Sequence, residues 1–178
     1  MEVETVKFHP SARHKALLAA LGLALAGYFW YTRPMTLEQL CPDLPLDQVT
    51  GVSGWYRIPD HETQQFSLDE AQMEALLTLV KDQTFRRSLA NLLPPAGVRF
   101  ASGGEFTWAV NFEFRGEPLI DTKGYGHTGG LLQLDDFWGE DITIRDRLAK
   151  KDWRAHSPGF SQWRQDVFSI ITEGVSEA

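Results

Sequence analysis

One cysteine, Cys41, is all the thiol that 178 residues hold. A small exported domain stapled by disulfides carries an even set, so this chain depends on an apolar core instead. The setting Leu40-Cys41-Pro42 suits a small buried hydrophobe more than a reactive thiol. Positive charge is also scarce. From Pro34 to Ala178 there are 13 Lys and Arg against 22 Asp and Glu, a formal charge of −9. That balance argues against nucleic acid as a partner, and against docking on anionic lipid. Internal repeats and low-complexity tracts are missing.

Catalytic and metal motifs are missing too. His61, His127 and His156 are scattered, with no HExxH spacing and no Cys partners. The glycine-rich KGYGHTGG around His127 has its Gly and Lys in the wrong order for a phosphate-binding loop. Ser102, Ser157 and Ser161 lack a G-x-S-x-G context. LDDFWGED gathers Asp135, Asp136, Glu140 and Asp141, and hard cations want clustered oxygens. The spacing matches no EF-hand loop, and acids are ordinary turn formers. No metal, no cofactor and no catalytic residue is therefore expected.

What the chain does have is RHKALLAALGLALAGYFWYTRP, Arg13 to Pro34. Between Lys15 and Arg33 nothing carries a formal charge, and Tyr28 to Tyr31 form an aromatic cluster of the kind found at headgroup level. A spanning helix needs about 20 apolar residues, and this run is at the short end. A signal peptide is the competing reading, because Ala24-Leu25-Ala26 fits a cleavage site. The aromatic cluster beyond that site favours an uncleaved anchor. Lys7, Arg13 and Lys15 on the N-terminal flank outnumber Arg33 on the other, so the N-terminus should face the cytoplasm. The expected organisation is a cytoplasmic tail over 1–15, a transmembrane anchor over 16–32, and an extracytoplasmic domain over 33–178. The cell membrane is then the location, and lipid the partner of residues 16–32.

Beyond the anchor, Thr36 to Leu40 suggests a helical turn and Thr50 to Ile58 a strand, with a polar loop over Pro59 to Gln65. Ser67 and Glu70 have capping-box spacing, and Met73, Leu76, Leu77 and Val80 form one apolar helical stripe. Thr84 looks like a second cap for a short helix carrying Phe85, Leu89 and Leu92, ended by Pro94-Pro95. TWAVNFEFR alternates strictly from Thr107 to Arg115, which is a half-buried strand. Val98 to Ala101 should pair upstream of it, and Gly116-Glu117 suits a hairpin turn. GGLLQL and DITIR read as further strands, with a turn or bulge over Asp135 to Glu140. Ser157 and Pro158 open a last helix with a Phe160, Trp163, Val167, Ile170, Ile171 stripe, stopped by Gly174. The fold class is α+β: a mostly antiparallel sheet of about five strands with two to three helices on one face.

Several polar and aromatic residues stand outside the clean core stripes. Arg86 and Arg87 near a helix start suit carboxylate or phosphate, with a surface salt bridge as the plain alternative. Trp55, Tyr56, Tyr125, Trp138 and Trp153 could stack on sugars or anchor a protein, although large aromatics are mostly buried. Trp55, Tyr56, Arg86, Arg87, Tyr125, His127 and Trp138 make up the candidate ligand-binding set.

MTLEQLCP at Met35 to Pro42, TFRRSLANLLP at Thr84 to Pro94 and QWRQDVFSII at Gln162 to Ile171 together resemble an uncharacterised family. Its members are small membrane-anchored or exported proteins of Gram-positive gut bacteria. The resemblance covers roughly Met35 to Ile171, while Arg145 to His156 is longer and more basic than that pattern. It implies one anchor and one compact external domain, and transfers no catalytic residue. The expected function is a binding or interaction domain at the bacterial cell envelope, with another envelope protein or a cell-surface ligand as partner. The alternatives are recognition of wall glycan through exposed aromatics, and a hydrolase using His127 or His156 with an acidic partner.

Overall fold

The computed structural model describes residues 11–92, 106–115, 120–121, 128–129, 131–138 and 141–173. The chain divides into two units, Met1–Arg33 and Pro34–Ala178.

In the first unit, α1 runs from Ala12 to Tyr31. The Ser11 side chain accepts from His14 N–H at its start, and Thr32 donates N–H to the Tyr28 carbonyl at its end, 2.9 Å away. No residue of the helix is buried. Among the described residues no helix is long and apolar enough to cross a membrane. Arg13, His14 and Lys15 occupy its first turn. The uncharged run from Ala16 to Tyr31 rises only about 24 Å, against a hydrocarbon core of roughly 30 Å. Gly22, Gly27 and the tyrosine and tryptophan tips lower its hydropathy further. The expected single-pass anchor over 16–32 is thus not supported, nor is the cell-membrane location with an outward-facing domain that was built on it.

The second unit is α+β, as expected, but its sheet is larger. Eight strands form one antiparallel sheet among the described residues, rather than about five. In chain order they are β1 (Pro34–Met35), β2 (Val49–Arg57), β3 (Gln64–Ser67), β4 (Phe85–Arg87), β5 (Thr107–Phe114), β8 (Leu132–Trp138), β9 (Asp141–Asp146) and β10 (Lys151–His156). Between β5 and β8, β6 (Ile120–Asp121) and β7 (Thr128–Gly129) pair as a separate two-stranded ribbon. The spatial order of the sheet is β1-β4-β10-β9-β8-β5-β2-β3. The helices are the one-turn α2 (Leu37–Leu40), then α3 (Glu70–Asp82) and α4 (Phe160–Glu173).

The additional strands occupy short or charged stretches. Phe85 begins a strand, not a helix, and Leu89–Leu92 makes only a 3-10 turn after it. β10 lies in the basic stretch after Arg145, where Trp153 and Ala155 alternate with Asp152, Arg154 and His156. β3 takes up part of the expected polar loop, with Phe66 its one buried side chain. Ser67 ends that strand. Asp69 caps α3 instead, its carboxylate accepting from Gln72 N–H at 2.8 Å while the Gln72 amide oxygen accepts from Asp69 N–H at 3.2 Å. Asp135 and Asp136 lie within β8, and of the expected turn or bulge it is the bulge that forms, as a register shift between Asp135 and Trp138. The expected strand at Val98 to Ala101, the turn at Gly116-Glu117 and the stop at Gly174 lie outside the described residues.

The core lies between the sheet and α3 with α4. On β5 it takes Trp108, Val110, Phe112 and Phe114, on β8 Leu132 and Leu134, and on β9 Ile142 and Ile144. Leu76 and Val80 of α3 and Trp163, Val167 and Ile171 of α4 close it from the helix side. Burial of each such side chain contributes roughly 1.5–3 kcal/mol. Trp163 meets both Phe85 and Trp108 edge-on, with ring centroids 5.9 Å apart in each pair. Gly54 permits the close approach of β2 and β5: a Cβ there would stand 2.1 Å from the Ala109 carbonyl oxygen. Cys41 is buried in the same core, and burial, reinforced by the Asp146 carboxylate, pushes its thiol up to about 12.

Candidate functional site

Residues opposite one another on neighbouring strands share a face of the sheet. The face turned away from the core can therefore be read in rows. The first row runs Arg86, His156, Asp141, with the backbone of Trp138 opposite Asp141. The second runs Arg154, Thr143, Asp135, Ala109, Trp55 and Gln65. The third runs Asp152, Arg145, Gln133, Asn111, Ser53 and Ser67. Every strand supplies alternate residues, so the period-2 pattern that places Trp108 and Phe112 in the core places hydrogen-bonding side chains here.

The middle of this outer face is polar and buried. Asp135, Asn111 and Thr143 have exposures of 0%, 4% and 5%. Arg145 reaches across the β8–β9 pair to Asp135, with Nη2 3.3 Å from Oδ2. The Thr143 hydroxyl has no hydrogen-bond partner among the described residues. Toward β2, the Ser53 hydroxyl donates to Glu113 Oε1 at 2.9 Å. Toward β10, Arg147 donates from Nη2 to Gln133 Oε1 at 2.9 Å. At the rim, Arg86, His156 and Asp152 are exposed, and Arg154 and Arg145 are half-exposed. His156 Nδ1 lies 3.9 Å from Asp141 Oδ1, an ion-pair distance rather than a hydrogen bond.

The candidate set from the sequence divides between the two faces. Arg86 and the backbone of Trp138 share one outer row, and Trp55 lies half-buried in the next. Tyr56 points the other way. It is buried, and its ring meets Phe168 of α4 edge-on at 5.5 Å. Arg87 is also an inner-face residue: its guanidinium sits 5.0 Å over the Trp153 ring and donates to Met35 Sδ at 3.2 Å. Tyr125 and His127 lie outside the described residues. Sequence reasoning did not single out Asn111, Asp135, Thr143 and Arg145 as one group. The signal was present in the alternation of β5, β8 and β9, but it becomes a group only once the cross-strand register is known.

Asp136 has a different task. It follows Asp135 but turns inward, where the register between β8 and β9 shifts. Its Oδ1 accepts from Trp108 N–H at 2.7 Å, and its Oδ2 accepts from Arg164 Nε at 2.5 Å. Arg164 also donates to the Phe106 carbonyl and lies 4.2 Å over the Phe106 ring. Burial holds the Asp136 carboxyl above its usual range, against the opposing pull of the Trp108 N–H and Arg164. This pair ties α4 to the sheet. Among the described residues no group of three or more His, Cys, Asp or Glu is arranged to hold a metal ion.

Fold and site define an α+β domain whose helices cover one side of an antiparallel sheet and whose other side carries polar rows. No protein-family model matches the chain, and neither a curated protein nor a solved structure is found similar to it.

Proposed function

We propose that the unit from Pro34 to Ala178 is a binding module whose working surface is the outer face of its sheet. The observation that supports this reading is the exposed flank of that face over β4, β10 and β9, where Arg86, His156, Asp141, Arg154 and Arg145 stand in adjoining rows. The helices bury the inner face and the middle of the outer face is buried too, so the flank over β4, β10 and β9 is the part of the sheet that presents hydrogen-bonding groups. Arginine and histidine at such positions select partners through directed, charge-assisted bonds. Tyr56 is spent in the core, which removes one member of the aromatic platform a sugar would need.

The test is site-specific photocrosslinking in cells that make the full chain. A photoreactive residue at His156 or Gln65, both exposed on the outer face, should yield discrete adducts. The same residue at Ala75, exposed on α3, should yield none. Adducts of equal yield from Ala75 would sink the assignment of the surface.

A further inference from the structure

The outer face continues into the β9–β10 hairpin, and there the charge of this acidic protein is locally reversed. Arg145-Asp146-Arg147-Leu148-Ala149-Lys150-Lys151 holds four cations and one acid. The chain's −7 is thus the balance of +3 here and −10 elsewhere. The acids nearby offset it only in part: Asp146 is 2% exposed, with its Oδ1 accepting from Ala149 N–H at 2.8 Å inside the turn, and exposed Asp152 stands opposite Arg145 on β10. Among the described residues, Arg147, Lys150 and Lys151 belong to no ion pair. Lys150 and Lys151 are exposed, and Leu148 beside them is 50% exposed. Lys150 has φ 53, in the left-handed region where glycine or asparagine is easier to place. Burial and then the Arg145 charge lower the Arg147 guanidinium from its ordinary value, against a smaller opposing pull from Asp152.

We infer that this hairpin tip docks a short acidic segment of a partner protein, with carboxylates on Arg147, Lys150 and Lys151 and an apolar residue against Leu148. The inference rests on the binding reading above and names the chemistry of the partner. Charge decides the class. A patch this small acts within about one Debye length, roughly 8 Å at physiological salt, whereas a long nucleic acid or an anionic bilayer also meets the −10 carried elsewhere. A segment with a few carboxylates touches the tip alone.

The experiment uses the full chain and fluorescein-labelled deca-glutamate, read by anisotropy. Saturable binding should weaken by about tenfold or more between low and several-hundred-millimolar salt, as screening requires. Lys150→Glu/Lys151→Glu should abolish it. Lys15→Glu/Lys81→Glu, which changes net charge equally but on α1 and α3, should leave it within about twofold. Circular dichroism checks each variant, and Lys150→Gln/Lys151→Gln replaces the first pair if that pair does not fold. Absence of saturable binding overturns the inference, as does equal loss in both double variants. It is also overturned if single-stranded oligonucleotide or phosphatidylserine vesicles bind more tightly than deca-glutamate, or if the chain self-associates through the tip. If deca-glutamate fails while His156 still crosslinks, the class of partner is wrong and the binding surface stands.

Discussion

On β5 the inner side chains are Trp108, Val110, Phe112 and Phe114, and the outer ones are Thr107, Ala109, Asn111 and Glu113. Nearly all are removed from water, yet for different reasons. The inner set gains from apolar area, which is non-directional and tolerates imperfect geometry. The outer set gains only where donors meet acceptors, because a buried polar group without a partner costs about 1–3 kcal/mol. Asp135 and Asp136 condense the contrast into two adjacent residues. One faces outward to Arg145 at 3.3 Å, the other inward to Arg164 at 2.5 Å. Arg145 keeps 39% of its side chain in water, and Arg164 keeps 17%. The inner pair is therefore the more costly to disturb, and of the two arginines Arg145 is the more available to a partner.

Substitutions can break or sharpen that contrast. The largest effect should come from Trp108→Ala, which empties the centre of the inner face and should cost about 3–5 kcal/mol in urea unfolding. Next is Arg164→Ala. It strands the Asp136 carboxylate inside the protein and should cost roughly 3 kcal/mol at neutral pH. Asp136 also leaves a signature in acid. Because its carboxyl is held above the ordinary range, the protonated form contributes stability below the unfolded pKa, and that contribution is lost as pH rises through the folded value. Relative to Asp136→Asn, the parent protein should therefore lose stability as pH climbs out of the acid range. A difference that does not change with pH would remove burial as the dominant influence on Asp136.

The outer face should give smaller numbers. Arg145→Ala takes a half-exposed cation away from the buried Asp135 carboxylate and should cost about 1–2 kcal/mol, with further weakening of the pair by salt. A loss as large as that of Trp108→Ala would erase the distinction between the faces. Smallest is Thr143→Val, which removes a buried hydroxyl without a partner among the described residues. It should be neutral or stabilising by up to about 1 kcal/mol, and a clear destabilisation in the same assay would show that the hydroxyl is engaged.

Long periodic stretches were legible in the sequence. The alternation of Thr107 to Arg115 and the stripes of Met73 to Val80 and Phe160 to Ile171 all became the elements they suggest. Short or charge-rich strands were not. Phe85–Arg87 has too few residues to distinguish a period of 2 from one of 3.6, and its strand character comes from pairing with β1 and β10. The β10 stretch was obscured by charge, since Asp152, Arg154 and His156 face outward and leave only Trp153 and Ala155 as apolar signal. For α1, a run without formal charge suggested a membrane span, but its length and its polar-tipped aromatics fall short of one. The outer-face group shares one cause with these misses. Asn111, Asp135 and Arg145 come from three strands, and their adjacency is a property of register, which no local window contains.

The strand order also sets a timetable for the chain. β8, β9 and β10 follow one another as neighbours and stack against β5, so the second half of the polypeptide supplies the centre of the sheet. The first half supplies both flanks, β2 and β3 beyond β5 on one side and β1 and β4 beyond β10 on the other. During synthesis the flanking strands emerge first, with no central strands to join. Leu37, Val52 and Phe85, which end almost wholly enclosed, must wait in water until β5 to β10 have left the ribosome. Such non-local pairing slows folding. The nascent first half is thus the stretch that would most need a chaperone, and the completed β5–β10 meander is the template that releases it.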